Sequence, residues 1–600
     1  MALKLITAAG GLFAALLAMD TLRLFGGEQW LANFITLETH FYFALSALLL
    51  PLTFLNYRHW LPLDFLLATA SMLACAYLFT QAETIVDEGW EFGAPQLPTY
   101  AALALWILLL EATRRAGGFA LALIAAAFSF MPLVADQLPG PFAGLSASLN
   151  ETAAYHALSI ESIFGLPFRA FAELVIGFLI FGVALQHTGG GKFFLDLAFA
   201  LLGHVRGGPA KVSIVASGFM GSMSGSVVTN VLTTGQMTIP AMRNAGLSAE
   251  RAAAVEACAS TGGVLLPPIM GSTAFVMATF LEVPYYQVAL AAAVPALLYF
   301  GTLFLQLDAE AGRDGLAGVD RSQLPGVGAT LRQGWFYLGA FGLLIFLLLV
   351  LQREAFAPYF ATAALLLLNQ FSSTHRFGGT ELLNFMQATG KLLAELFAVL
   401  AGVGLIVGAL SVTGLSGTLV NDLLYLAGDS ILLLLVMGAA ASFVLGIGMT
   451  VTAAYIFLAI VLAPALTQAG LNPMAVHLFI LYWAMLSFIT PPVALGAFAA
   501  ASIANARPIA TGFAAMRLGG AIYLLPFLFV LAPPLLLDGT LGAVIYAIAA
   551  ALIGLYMLVG ALQGYLVIID RRPGLFVRPI LGVAGIAIAA TPLVWPLGSA

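Results

Sequence analysis

Residues 221–240 read GSMSGSVVTNVLTTGQMTIP, and residues 445–464 read LGIGMTVTAAYIFLAIVLAP. The second stretch is the first repeated at an offset of 224. Residues 221–278 align with 445–502 without a gap, so Pro240 falls on Pro464, Gly246 on Gly470, and the pair Pro267 and Pro268 on Pro491 and Pro492. TGGVLLPPIMGSTAF (261–275) and LSFITPPVALGAF (486–498) thereby take equivalent places. Upstream, ALQHTGGGKFFLDLAFALLG (184–203) matches ALSVTGLSGTLVNDLLYLAG (409–428) at an offset of 225. The first copy gathers Ser, Thr, Gly and Asn in an otherwise apolar chain, and the purpose of that polar cluster decides how the fold is read.

Charged residues make up 8% of the 600 and hydrophobic ones 62%, with mean hydropathy +1.03. Ordinary soluble domains are roughly 25% charged. Apolar runs long enough to cross about 30 Å of hydrocarbon recur from end to end, which predicts an all-α polytopic membrane protein. The net charge of −6 is spread thinly and gives nucleic acid nothing to bind. Cys75 and Cys258 lie inside apolar runs without metal-type spacing and read as small core hydrophobes. The opening MALKLITAAGGLFAALLAMD lacks a small-x-small cleavage site and reads as a first transmembrane helix rather than a leader.

One orientation satisfies the positive-inside rule in every loop. With the N-terminus cytoplasmic, the inside connections hold Arg58, Arg114, Arg115, Lys192, Arg206, Lys211, Arg243, Arg251, Arg313, Arg321 and Arg332, and later Arg376, Arg507, Arg517 and DRRPG (570–574). Outside, QAETIVDEGWEFGAPQ (81–96) is purely acidic, and 136–161 carries no Lys or Arg. The scheme requires two polar-centred segments to enter the membrane and return on the same side. Between Pro240 and Pro464 it counts five crossings, at about 252–281, 286–306, 334–351, 355–371 and 391–412. Five is odd, so the second copy is inverted relative to the first, as in many secondary transporters.

Broken helices persist at membrane depth only where protein or water satisfies the freed backbone groups. GSMSGS (221–226) and GIGMTVTAAY (446–455) mark the tips of two opposed re-entrant hairpins, each followed by a helix interrupted at a double proline. Half-helix N-termini attract anions and exposed carbonyls hold cations. The candidate substrate contacts are therefore Ser222, Ser226, Thr229, Asn230, Thr450 and Thr452. Alternatively, the small residues only let helices approach closely.

LLLEATRRAGG (108–118), GGPAKVSIVASGFMGSMSGSVVTNVLTTGQMTIPAM (207–242), AAAVEACASTGGVLLPPIMGSTAF (252–275) and GIGMTVTAAYIFLAIVLAPALTQAGLNPMAVHLFILYWAMLSFITPP (446–492) resemble the fused membrane subunit of TRAP (tripartite ATP-independent periplasmic) transporters, TAXI subgroup. The resemblance covers about 100–520. It implies an elevator-type transporter of a bacterial or archaeal cytoplasmic membrane, with a separate periplasmic binding protein that delivers a small carboxylate such as a dicarboxylate, glutamate or 2-oxoglutarate. It implies sodium, or a proton, as the coupling ion. Its first sodium site would fall on Ser224, Gly225 and Ser226 with Gly263, Leu266 and Pro267, and its second on Gly448 and Met449 with Ser487, Thr490 and Val493. Ser487 stands where the family pattern has glycine, and Thr450 where the subgroup often has proline. The organisation implied is a Q-like unit in 1–135, a periplasmic connection in 136–170, a first repeat in 171–306 with its hairpin at about 212–241, and a cytoplasmic linker in 307–334. A second repeat in 335–537, with its hairpin at about 431–465, and a C-terminal extension in 538–600 complete it.

Glu256, one turn before ASTGG, is costly in an apolar helix and reads either as a proton carrier or as a hydrogen-bond acceptor for the neighbouring hairpin. Lys391 and Glu395 are spaced to pair on one helix face or to orient a helix end. Glu173 and Asp422 read as bordering the outer face, and His477 as a packed side chain. Neither GGGK (189–192) nor TGK (389–391) completes a phosphate loop, because Gln186 and Phe385 replace its first Gly. An intramembrane hydrolase with Ser224 as nucleophile finds no clear base, and a passive channel lined by the hairpins is the nearer alternative to a transporter.

Overall fold

The computed structural model describes residues 2–24, 30–371, 376–428 and 430–594, so residues 595–600 of the C-terminal extension lie outside it. The described residues form helices joined by short turns, with a single isolated bridge between Leu566 and Arg571 as their β-type pairing. Ten of these helices are long and apolar enough to span a membrane.

The repeat recurs helix by helix at the offset of 224. Val227–Asn244 and Val451–Val461 begin at equivalent residues, as do Ala249–Gly263 and Pro473–Met485, and Gly271–Phe280 and Leu495–Ala504 correspond at both ends. The left-handed residues Met270 and Ala494 fall at matching places, and the bonds Pro267–Pro268 and Pro491–Pro492 are both cis.

The two copies run antiparallel. Near the start of the first broken helix, Glu250 pairs with Arg507 (3.2 Å), just beyond the end of the second, and Arg243 donates to the carbonyl of Ala504 (3.1 Å). At the opposite end, the Phe280 ring, closing the first broken helix, lies 6.3 Å from the ring of His477, near the start of the second. Basic residues that loop counting places on one side also meet in space. Arg206 and Lys211 both pair with Asp308, and Arg251 pairs with Glu310. Arg313 donates to the carbonyl of Gln563.

The crossings differ in length from their sequence reading. Tyr285–Asp314 continues as a helix into the segment read as linker, because Asp308 and Glu310 find cationic partners there; 315–326 connect it to Val327–Ile345. Ala357–Asn369 has 13 residues, about 20 Å of helix, less than the hydrocarbon thickness.

The long helix Gly379–Val412 is the seam of the molecule. It packs against Ala2–Thr21, Glu38–Asn56 and Gln96–Gly117 of the N-terminal unit and against Ile176–His187 of the first repeat. Small residues permit the close approach: a Cβ on Gly11 would lie 2.5 Å from the Cα of Gly390. Buried hydroxyls bridge the same seam, with Thr53 donating to the carbonyl of Ala394 and Thr113 to that of Ala398, both at 3.0 Å. The connection at 136–170 is pinned by His156, whose Nε2 faces the carbonyl of Ser129 (3.0 Å) and whose Nδ1 faces the hydroxyl of Ser162 (2.8 Å). A carbonyl only accepts, so Nε2 carries the hydrogen. Burial pushes this imidazole down to about 4, and it is neutral at neutral pH.

Candidate functional site: paired helix breaks around one cavity

The first hairpin is Gly208–Ser224 and Val227–Asn244, joined through Gly225 at φ 62°. The second is Ile431–Gly446 and Val451–Val461, joined through residues 447–450 with Gly448 at φ 77°. In each, a hydroxyl at the equivalent residue caps the returning arm. Ser226 accepts from the N–H of Thr229, and Thr450 from that of Ala453, both at 3.3 Å.

Both tips open on one cavity of about 300 Å³. Its walls include Ser224, Gly225, Ser226 and Val227 from the first hairpin and Gly448, Met449, Thr450, Val451 and Thr452 from the second. Ser272 and Leu495 join them from the segments after the two breaks. Val227, Ser272, Val451 and Leu495 are each the first or second residue of a helix. Four helix N-termini, two from each copy, therefore converge there, each equivalent to about half a positive charge. The opposite wall is the long helix, through Leu392, Glu395, Leu396 and Val399. The halves touch directly at the site: the Thr452 hydroxyl lies 3.0 Å from that of Ser272 and 2.8 Å from that of Thr273.

The remaining candidates lie outside the cavity lining. Ser222 is buried and accepts from the N–H of Ile269 (3.4 Å), tying the first tip to the break. Asn230 is buried and donates to the carbonyl of Ser217 (2.8 Å), bracing the arms of the hairpin. Thr229 is exposed and contributes its N–H to the Ser226 cap. Gly263 presses against the Cα of Gly221 and the carbonyl of Ser217. Leu266, Pro267 and Val493 lie in the breaks outside the cavity lining. Ser487 donates to the carbonyl of Ala484 (3.1 Å), and the Thr490 hydroxyl lies 2.6 Å from that of Tyr523.

Glu256 is fully buried within the first repeat. It accepts from five hydroxyls: Ser213 and Ser217 on one hairpin arm, Thr234 and Thr238 on the other, and Ser260 on its own helix. Both oxygens are satisfied without a counter-charge, and three helices are bound by one side chain.

Lys391 and Glu395 do not pair with each other and lie well inside a 34-residue helix, not at its end. Glu395 instead accepts from the hydroxyl of Tyr57, and the Lys391 ammonium sits 5.5 Å from the centre of the Tyr57 ring. Tyr57 thus engages both side chains, Glu395 through its hydroxyl and Lys391 through its ring face. Ser272 and Glu395 are the polar lining residues that the sequence reading did not assign to the site; an ionisable residue inside an apolar span was the available signal for the second. His477 packs, with its Nδ1 2.6 Å from the hydroxyl of Tyr455.

The described residues, all helical, with ten helices long and apolar enough to span a membrane and two antiparallel copies of one break pattern meeting at a small cavity, define a polytopic membrane protein of the internal-repeat type. Residues 104–544 match the family model described as tripartite ATP-independent periplasmic transporter, DctM component, and the chain belongs to that family. It is similar to the 2,3-diketo-L-gulonate TRAP transporter large permease of Escherichia coli (strain K12), 25% identical over 332 residues, 54% of this chain and 76% of the relative. The C4-dicarboxylate TRAP transporter large permease of Pseudomonas aeruginosa is 25% identical over 336 residues, 55% and 77% of the two chains. The isethionate TRAP transporter permease of Oleidesulfovibrio alaskensis is 25% identical over 376 residues, 60% and 57%. These relatives are transporter permeases, not enzymes, which removes the hydrolase reading of Ser224.

Proposed function

We propose that the protein carries a small organic acid inward across a bacterial or archaeal cytoplasmic membrane, driven by a sodium gradient, with the acid delivered by a periplasmic binding protein of TAXI type. The observation that carries this reading is the convergence of four helix N-termini and two hydroxyl caps on one cavity of about 300 Å³. Such an arrangement favours a carboxylate, since amide groups and helix ends meet it with partial positive charge. The names of two relatives, for 2,3-diketo-L-gulonate and C4-dicarboxylate, support a carboxylate, and a third, for isethionate, supports a small organic acid more broadly.

In this reading the coupling ion would sit at the helix C-termini that adjoin each tip. Gly221 and Gly263 are in backbone contact, which brings the end of the first arm against the end of the helix before the break. Ser224, Gly225, Gly263, Leu266 and Pro267 would supply carbonyl and hydroxyl oxygens there, as Gly448, Met449, Ser487, Thr490 and Val493 would in the second copy. Oxygen donors without thiol or imidazole suit a hard cation. Glu256, saturated by hydroxyls, is assigned as the clamp of the first hairpin rather than as a proton carrier. The N-terminal unit and the long helix act as a fixed frame along which the hairpin body slides, a Q-like and an M-like part fused in one chain.

Reconstitution into sealed vesicles tests this reading, with the binding protein outside and radiolabelled four- and five-carbon acids as probes. The expected result is accumulation above the external concentration under an inward sodium gradient. Equilibration without accumulation would indicate a channel, and flux indifferent to both the gradient and the binding protein would overturn the mechanism.

A further inference from the structure

One side chain sets a wall of the cavity apart from the rest. Glu395 is the single ionisable residue among the described residues that line it, and it faces hydroxyls, glycines, apolar groups and four helix N-termini. It stands on the long helix that packs against the N-terminal unit, opposite the hairpin tips. The hydroxyl of Tyr57, at the end of Glu38–Asn56, donates to its Oε2, while Oε1 takes no hydrogen bond among the described residues. Lys391 holds its ammonium over the Tyr57 ring rather than on the carboxylate. The cavity is therefore dipolar, electropositive at the tips and electronegative at the frame.

An acid with carboxylates at both ends and nothing else would turn one of them toward Glu395, and like charges repel strongly where little water intervenes. An acid bearing a donor beside its carboxylate meets complementary charge at both walls. We propose that Glu395 selects substrates that carry an ammonium or hydroxyl donor, that is, 2-amino or 2-hydroxy acids. Their carboxylate lies at the helix N-termini capped by Ser226 and Thr450, and their donor on Glu395. Tyr57 is a positioning residue: its hydroxyl occupies one carboxylate oxygen and leaves the other to the substrate. This assignment rests on the reading of the cavity as the substrate site.

L-aspartate, L-malate and succinate share a four-carbon dicarboxylate skeleton and differ at C2 in bearing ammonium, hydroxyl or hydrogen. Their binding to the full chain in nanodiscs, in sodium chloride, is the test. Wild-type protein should bind aspartate at least about tenfold more tightly than succinate, with malate between them. In E395Q the three affinities should fall within about threefold of one another, and in Y57F the preference should shrink without vanishing. Unchanged melting temperature and gel-filtration profile establish that both variants are folded. Equal or tighter binding of succinate by the wild type, or an order of preference that E395Q leaves intact, overturns the role of Glu395 and spares the transport reading. No binding of any of the three acids by the wild type contradicts both.

Discussion

Replacing Glu256 with alanine is expected to lower the stability of the protein by on the order of 4–5 kcal/mol. Five hydroxyls from three helices converge on this carboxylate, and each is buried or nearly so. Hydrogen bonds to a charged acceptor contribute about 1.5–3 kcal/mol each, and hydroxyls left without an acceptor in a dry interior incur a desolvation penalty. The sum is reduced because Ser217 and Thr234 have one another as alternative partners at 3.0 Å, and Thr234 and Thr238 also bond backbone carbonyls. Thermal unfolding in detergent reads the loss directly. E256Q separates the two roles open to this residue. An amide keeps one acceptor oxygen and most of the shape, so E256Q should fold with reduced stability and retain gradient-driven uptake. A folded E256Q whose uptake ignores the gradient would instead make Glu256 the carrier of a coupling proton.

The second large effect is expected at the contact between the first tip and the helix after its break. A Cβ on Gly225 would lie 2.7 Å from the Cα of Gly271, and one on Gly271 would lie 2.5 Å from the Cα of Gly225. Both residues have positive φ, 62° and 65°, so a side chain meets conformational strain as well as backbone overlap. Neither partner is the flexible end of a side chain, and relief requires the tip to move away from the cavity wall formed by Ser272. G225A and G271A should each reduce initial uptake by about 30-fold or more, corresponding to about 2 kcal/mol of lost positioning, when normalised to folded protein. Gly417 has open space around its Cα, and G417A should be indistinguishable from wild type. Wild-type rates in G225A and G271A would show that the tip tolerates displacement and that its fit to the break is incidental.

The inverted repeat was legible because it rests on short-range chemistry. Glycines and double prolines mark breaks wherever they occur, and an odd number of spans inverts whatever follows. Arg507 against Glu250, and Phe280 beside His477, show the two copies running antiparallel. The tips were legible for the same reason: Ser226 and Thr450 begin helices as N-caps, and both line the cavity. Individual contacts were harder to assign, because a polar residue in an apolar helix looks the same whether it faces a cavity or a neighbouring backbone group. Ser222 and Asn230 took the second option. Long-range partnership was not legible at all. Tyr57 and Glu395 are 338 residues apart, and only the packing of the long helix on the N-terminal unit brings Tyr57 against both Lys391 and Glu395. The extension of Tyr285–Asp314 beyond its apolar stretch likewise depends on Arg206, Lys211 and Arg251, residues distant in sequence that neutralise its acidic end.

Alternating exposure of a single cavity by two opposed hairpins can be read from thiol accessibility at the tips. Cysteine placed singly at Ser226 and at Thr450 can be probed with membrane-impermeant reagents on right-side-out and inverted vesicles, since Cys75 and Cys258 are buried. Each tip is expected to react from the outside under one condition of sodium and substrate and from the cytoplasmic side under another. Reaction of both tips from the same single face under every condition would contradict it.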